Sequence, residues 1–260
     1  MKRFLLLFAF SLIISVPLMA EIIEKTIEYD VDNSLHEGFF FFKEGETGKK
    51  PGVIVVHEWK GIGDHVLEIG RKLAEEGYVA FVADIYGKGI RPTDNKEAAK
   101  LSGSYKGDRP KLRGKVLAAL EQLKKHELVD EKKIAAIGYC FGGTTVLELA
   151  RSGAEVAGVV SFHGGLASPK PEDAKNIKAA VLVLHGGIDP HVPDAEMIDF
   201  MKEMRDAAVD WQLFSYGKAV HSFTNKAAGN DPSQGVAYHE LTDRRAWQAM
   251  KIFFAEIFQN

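Results

Sequence analysis

The residue with the clearest chemical potential is Cys140, which lies in the segment Gly138-Tyr139-Cys140-Phe141-Gly142-Gly143. The segment follows an apolar run typical of a buried strand and opens a run with helical spacing. A tight strand-to-helix turn between small residues presents its central side chain as a nucleophile. The start of the helix favours a thiolate, and the amide of Phe141 points to where an oxyanion would form. The G-x-G-x-x-G and Walker patterns of phosphate-binding turns are absent. We therefore predict a cysteine nucleophile.

A cysteine nucleophile needs a base and an acid that orients the base. Asp189 lies 49 residues after Cys140, directly after an apolar strand-like run, and His221 lies 32 residues further on. This order of nucleophile, acid and histidine is the one that accompanies a nucleophile on such a turn. We predict that His221 exchanges protons with the thiol and the leaving group, and that Asp189 fixes the imidazole tautomer.

Other acids and histidines compete for these roles. Asp194 is expected to cap the helix that begins near Ala195, and Asp84 to accept hydrogen bonds from its own loop. Three further histidines are candidate bases, namely His163, His185 and His191. The last two flank Asp189, but no third ligand accompanies them at metal spacing, so neither a metal site nor a cofactor is expected.

The predicted elements alternate between strands and helices from residue 52 onward. The predicted strands are 22–30, 37–43, 52–57, 78–85, 133–139, 156–162, 179–185 and 211–216, and the predicted helices are 64–76, 94–102, 109–126, 141–150, 195–208 and 241–258. Alternation of this kind predicts an α/β fold with a mostly parallel, doubly wound sheet. The first two strands form an antiparallel pair around the turn-like Asp32-Asn33-Ser34. The reactive side chains follow strand ends, where such sheets bind ligands.

The first twenty residues differ from the rest of the 260-residue chain. Lys2 and Arg3 precede a 13-residue run that is apolar apart from two serines, and Ala20 ends the segment. This pattern predicts a signal peptide cut before Glu21, since the run is too short to span a bilayer. An uncleaved amphipathic anchor is the alternative. Residues 21–260 are then a single exported domain, periplasmic or secreted, without stable membrane insertion.

Charge and cysteine content narrow the choice of partners. Removing Lys2 and Arg3 from the 33 basic residues leaves 31 against 36 acidic ones, a net charge of −5. No basic stripe is present, so nucleic acid is not an expected partner. The single cysteine excludes an internal disulfide. A free thiol in an exported protein is exposed to oxidation, so its presence requires an explanation. Burial in the core is the ordinary reason. We expect a monomer that acts on a small molecule.

Four segments together resemble the dienelactone hydrolase family, which has the α/β-hydrolase fold. They are the turn at 138–143, Gly187-Ile188-Asp189-Pro190, His221-Ser222-Phe223 and His57-Glu58-Trp59-Lys60-Gly61. The likeness covers roughly residues 35–257. It implies that Glu58 lies near the resting thiol and helps to control its ionisation, and that the amides of Trp59 and Phe141 form the oxyanion hole. An ion pair between Glu58 and Lys60 is the alternative.

The resemblance also indicates where this chain departs from the family. Members that act on dienelactone hold its carboxylate with two arginines; Lys88 stands at one position, and Thr224-Asn225 at the other. Lysine is a poorer bidentate clamp, so dienelactone is not the expected substrate. Arg91 is an alternative cation. Lys88, Tyr86 and Phe223 are predicted to bind substrate, with Trp59 as a further apolar wall. The 18 residues between Phe162 and Val181 leave no room for a large cap domain.

The resulting prediction is a cysteine-dependent hydrolase of small esters or lactones that acts through a Cys140–His221–Asp189 triad and a thioester. Two alternatives remain. One is a deacylase of sugar or cell-envelope esters. The other is a non-catalytic exported binding protein on the same fold, because fold alone does not give function.

Overall fold

A computed structural model describes residues 20–259 of the chain. The predicted signal segment, apart from Ala20, lies outside the described residues. The strands are β1 (Ile22–Val31), β2 (Ser34–Lys43), β3 (Lys50–Val56), β4 (Val79–Ala83), β5 (Val129–Tyr139), β6 (Gly158–Phe162), β7 (Ala180–Gly186) and β8 (Trp211–Tyr216). The helices are α1 (Asp64–Glu75), α2 (Asn95–Gly107), α3 (Arg109–Lys124), α4 (Phe141–Arg151), α5 (Asp194–Asp206) and α6 (Glu240–Ile257). None of these helices is long and apolar enough to cross a membrane.

The eight strands form one sheet in the order β1-β2-β4-β3-β5-β6-β7-β8. The β1–β2 and β2–β4 pairs are antiparallel and every later pair is parallel. The β1–β2 turn has only two residues, Asp32 and Asn33, both with positive φ, as a tight hairpin requires. The structure confirms the predicted α/β fold, its mostly parallel sheet and its antiparallel N-terminal pair. The connection from β6 to β7 holds a short 3₁₀ helix, Pro171–Asn176, and no large cap domain.

Strand β3 shows how the sequence builds a core on both faces of the sheet. Its last four residues are fully buried. Ile54 and Val56 pack into the hydrophobic cluster that includes α3 and α4, whereas Val53 and Val55 pack into the cluster that includes α1 and α6. Because strand side chains alternate between faces, a strand between two helical layers must be apolar at every position. Full burial of one such side chain stabilises the fold by roughly 1.5–3 kcal/mol.

A buried ion pair fixes helix α4, which begins directly after Cys140. Arg151 in its last turn donates to Glu203 of α5 at 2.7 Å and to Glu148 at 3.1 Å. The same guanidinium donates to the Leu166 carbonyl at 2.9 Å. Arg151 is only 1% exposed, so its charge must be paired where it lies. These bonds tie α4 to α5 and to the loop after β6, and thereby hold the start of α4 in place.

Candidate active site

Cys140 lies at the apex of the turn between β5 and α4, with φ = 55° and ψ = −112°. A non-glycine residue with such dihedrals costs about 1–3 kcal/mol and persists only where its surroundings enforce it. The Cys140 amide donates to the Phe162 carbonyl at 3.0 Å, and its own carbonyl accepts from Gly143 at 3.0 Å. The sulfur is half-buried against the apolar layer. The strained turn therefore presents the thiol at the carboxyl edge of the sheet.

His221 and Asp189 come from two loops that follow β8 and β7. His221 Nδ1 lies 2.7 Å from Asp189 Oδ2, and the other carboxylate oxygen accepts the His191 amide at 2.8 Å. The Cys140 side chain lies close enough to the same imidazole to raise its pKa. Since Nδ1 faces Asp189, the opposite nitrogen is the one that faces the sulfur. The structure thus brings together the three residues that the sequence predicted as nucleophile, base and acid.

The charge state of His221 follows from these contacts. Burial opposes its protonation, but the charge of the Cys140 sulfur and the hydrogen bonds to Asp189 and Cys140 outweigh burial and raise the pKa of His221 to about 10. His221 is therefore an imidazolium at neutral pH.

The two backbone amides that the resemblance implies as oxyanion donors are those of Phe141 and Trp59. Within residues 20–259, neither the Phe141 amide nor the Trp59 amide donates to another protein group. Phe141 is the first residue of α4, where amides lack an intrahelical acceptor. The Trp59 carbonyl accepts the Tyr86 hydroxyl at 3.0 Å, and the Glu58 carbonyl is bound by the Gly61 amide at 3.2 Å. A fixed pair of free amides can stabilise a tetrahedral oxyanion.

Glu58 is hydrogen-bonded to the loop that carries His221. Asn225 Nδ2 donates to its Oε2 at 2.5 Å, and Ser222 Oγ lies 3.4 Å from its Oε1. His65 Nδ1 lies 3.7 Å from Oε2. Burial raises the pKa of Glu58, but His65, Asn225 and His221 together lower it below its ordinary value. Glu58 is thus an ionised carboxylate bound to the loop that carries His221, and no ion pair with Lys60 forms within the described residues.

The three predicted substrate-binding side chains all have contacts within the protein. Lys88 is paired with Glu28 and lies 3.7 Å from Glu37, so β1 and β2 hold its ammonium at the surface. Tyr86 is 2% exposed and supports the Trp59 loop, and Phe223 is fully buried in the layer of α1 and α6. Tyr86 and Phe223 therefore offer no free surface to a ligand, whereas the Lys88 ammonium is exposed but paired. Sequence patterns show that a residue is aromatic or charged, but its contacts depend on neighbours that are distant in the chain.

The competing acids and histidines have structural contacts. Asp84 accepts the amides of Tyr86 and Gly87, each at 3.1 Å, as expected. Asp194 is the first residue of α5 and makes no cap hydrogen bond, so the capping prediction is wrong. His163 is fully buried, with Nε2 2.8 Å from Thr224 Oγ1, and burial lowers its pKa well below the ordinary value. His185 is 2% exposed, and burial lowers its pKa as well.

His57 is a structural histidine that the sequence did not single out, and it yields a pH prediction. Its Nδ1 lies 2.7 Å from the Glu58 carbonyl and its Nε2 accepts the Ile85 amide at 3.2 Å, so the ring is neutral. Burial lowers its pKa to about 4. Below about pH 6.5, His57 takes up a proton in the unfolded chain but stays neutral in the folded protein. The free energy of unfolding therefore falls as the pH decreases towards 4. His57 should contribute roughly 2 kcal/mol of this loss between pH 7 and pH 5.

Urea unfolding of the wild type and of His57→Gln at pH 7 and pH 5 measures this contribution. The variant side chain cannot titrate, so its free energy of unfolding should fall less than that of the wild type by about that amount. Equal losses in the two proteins would show that His57 is not held neutral.

The chain is an α/β-hydrolase, as three features show. These are the sheet order, the strained turn at Cys140, and the grouping of thiol, imidazole and carboxylate. The sequence model of the dienelactone hydrolase family matches residues 37–258. The chain belongs to this family, and its class is carboxylic ester hydrolase.

The solved structures include close likenesses. The structure of a protein named m3DLH is 42% identical in sequence with a TM-score of 0.88, and the match covers 91% of this chain and 99% of the m3DLH chain. A dienelactone hydrolase-like promiscuous phosphotriesterase from metagenomic libraries is 41% identical with a TM-score of 0.87, at the same coverage. A Yersinia pestis protein named for carboxymethylenebutenolidase activity is 31% identical over 224 residues, which are 81% of this chain and 79% of that protein.

Proposed function

We propose that the chain hydrolyses small carboxylic esters or lactones through a thioester on Cys140. The observation that carries this proposal is the contact of Cys140 with an imidazole whose other nitrogen lies 2.7 Å from Asp189. A thiolate paired with an imidazolium is a nucleophile with a proton donor already beside it.

The reaction has two halves. The Cys140 sulfur attacks the ester carbonyl, and the amides of Phe141 and Trp59 bind the resulting oxyanion. The intermediate collapses to a thioester, and the departing alkoxide takes the proton of His221. The neutral imidazole then removes a proton from water as that water attacks the thioester. Expulsion of the thiolate releases the carboxylic acid and restores the ion pair, so one water is consumed for each ester cleaved.

The surroundings of the site favour uncharged substrates. Lys88 is engaged by Glu28 and Glu37, and Asn225 by Glu58. Arg91 donates to the Ile90 carbonyl at 2.8 Å, with Asp84 at 3.7 Å. Every side chain considered as a carboxylate clamp therefore already has a protein partner. Neutral esters and lactones avoid the cost of breaking these contacts.

Trapping of the acyl-enzyme tests the proposal. Purified protein mixed with p-nitrophenyl acetate should release nitrophenol in an initial burst. Intact-mass analysis should show one added acetyl group, and peptide mass analysis after digestion should place it on Cys140. A neutral ester should be cleaved faster than an analogue that carries a carboxylate. Steady hydrolysis with no acylated Cys140 at any time would reject the thioester, and complete lack of turnover would favour a binding protein.

Export is proposed on the strength of the N-terminal sequence, namely Lys2 and Arg3 before an apolar run. Recovery of a mature chain that begins at Glu21 from the periplasm or medium is the expected result. A full-length chain retained with the cells would contradict export by cleavage.

A further inference from the structure

His65 has no role in the proposed reaction steps, yet it lies next to the proposed site. It lies in the first turn of α1, with Nδ1 3.7 Å from Glu58 Oε2. On its other side the ring meets the edge of Tyr139, with 4.8 Å between the ring centroids and 71° between the planes. Tyr139 directly precedes Cys140. His65 therefore lies between the loop that carries the Trp59 amide and the strand that carries the nucleophile.

Both ring nitrogens of His65 are buried and have no hydrogen-bond partner within residues 20–259. An unpartnered buried polar atom costs about 1–3 kcal/mol and calls for an explanation. The nearby carboxylate of Glu58 supplies one, because His65 Nδ1 lies 3.7 Å from its Oε2 and faces its negative charge. Among the ion pairs of the described residues, this is the one that includes Glu58.

The remaining partners of Glu58 are neutral side chains of the loop that carries His221. Ser222 follows His221 directly in the chain, and Asn225 lies three residues later. Glu58 directly precedes Trp59, whose amide is one of the two oxyanion donors. The Glu58 carboxylate thus links the loop that carries the Trp59 amide to the loop that carries His221. A neutral glutamic acid would bind Asn225 less strongly, since hydrogen bonds to an ionised group are roughly twice as strong.

We propose that His65 is a positioning residue, whose buried ring beside the Glu58 carboxylate keeps that carboxylate docked on Ser222 and Asn225, and so holds the Trp59 amide in register with His221 and Cys140. The inference rests on the proposed esterase function. It assigns to Glu58 a link between two catalytic loops.

The charges around this pair are few. Glu58 faces His65 of α1, the neutral Asn225 and Ser222, and the charge of His221. His65 faces Glu58 and Tyr139, and its charge is felt at His163 after β6 and at Asp243 of α6. Burial raises the pKa of Glu58, and His65 is the strongest of the influences that lower it. Loss of His65 should therefore let Glu58 take up a proton at a higher pH.

The test is a cycle of His65→Phe, Glu58→Gln and the double variant, assayed on p-nitrophenyl acetate. Phenylalanine keeps a ring against Tyr139 but carries no charge. We expect His65→Phe to lower kcat about 10-fold with KM nearly unchanged, and to move the acid limb of the kcat/KM profile up by roughly one pH unit. In the Glu58→Gln background the same substitution should lower kcat less than 2-fold and leave the acid limb in place, because the two residues act as a unit.

The matched control is His126→Phe, which removes another partly buried histidine, packed on Phe40 at 4.7 Å and far from the catalytic loops. It should leave the acid limb unchanged. Additive losses in the cycle, or a lower Tm for His65→Phe with an unaltered kcat and pH profile, would overturn the proposed role of His65. Absence of turnover in the wild type would reject the esterase itself, which keeps the two failures apart.

Discussion

Cys140→Ala should lower kcat/KM for an activated ester such as p-nitrophenyl acetate by at least about 10⁴-fold. Alanine removes the proposed nucleophile but leaves the backbone amides of Phe141 and Trp59 in place. The amides and general binding then account for whatever rate remains above that of water. Hydrolysis should be measured on purified protein, with Tm recorded to show that the fold is intact.

Cys140→Ser is the matched control, because it keeps the volume and a nucleophilic atom. The pKa of His221 is raised to about 10 partly by the charge of the sulfur. A serine hydroxyl carries no such charge, so the serine variant relies on His221 as a general base. Its activity should lie between those of the wild type and the alanine variant. Near-wild-type turnover by Cys140→Ala would place the chemistry on another residue.

Gly138→Ala should destabilise the fold by about 3 kcal/mol or more, at the upper end of the losses that overpacking causes. A Cβ at this position would lie 2.0 Å from the Gly142 carbonyl oxygen and 2.8 Å from the Gly143 nitrogen. Both atoms are backbone in the first turn of α4, so no side-chain rotation can relieve the clash. Tm should fall by roughly 10 °C for a domain of this size. Because the turn must open to admit the methyl group, ester hydrolysis should fall as well.

Gly114→Ala in α3 is the control for the glycine substitution. A Cβ there has no atom within 4 Å, and alanine favours a helix interior over glycine by about 1 kcal/mol. Tm should be unchanged or slightly higher. A Gly138→Ala protein with wild-type Tm and activity would show that the turn between β5 and α4 is not held as tightly as these distances require.

Secondary structure was predictable because each strand and helix carries its own pattern. The strand predicted at 211–216 is β8, and the helix predicted at 64–76 is α1 with one residue fewer. Boundaries shifted where backbone pairing decides them; β5 begins at Val129, four residues before its apolar run, because Lys50 and Pro51 of β3 pair with Val129 and Asp130. The three short 3₁₀ helices were not predicted, since such turns depend on local packing more than on periodicity.

The candidate site likewise contains some residues that could be predicted from the sequence and others that could not. Cys140, Asp189 and His221 were identifiable because a tight turn, the ends of parallel strands and the chain order together restrict where a nucleophile and its partners can lie. The contacts of Lys88, Tyr86 and Phe223 were not identifiable, because they are made with residues far away in the chain. His65 had no signal at all, being one histidine at the start of an ordinary amphipathic helix.

The sequence by itself thus determined the order of strands and helices, the family, and the three residue types that meet at the carboxyl edge of the sheet. Only the tertiary structure decided that Glu58 binds Asn225 and Ser222, that Lys88 is held by Glu28 and Glu37, and that His65 faces a carboxylate. Local patterns encode which face of an element is apolar, because that depends on periodicity. The partner of a buried charge depends on how the loops from β3, β7 and β8 converge, and that arrangement exists only in the folded chain.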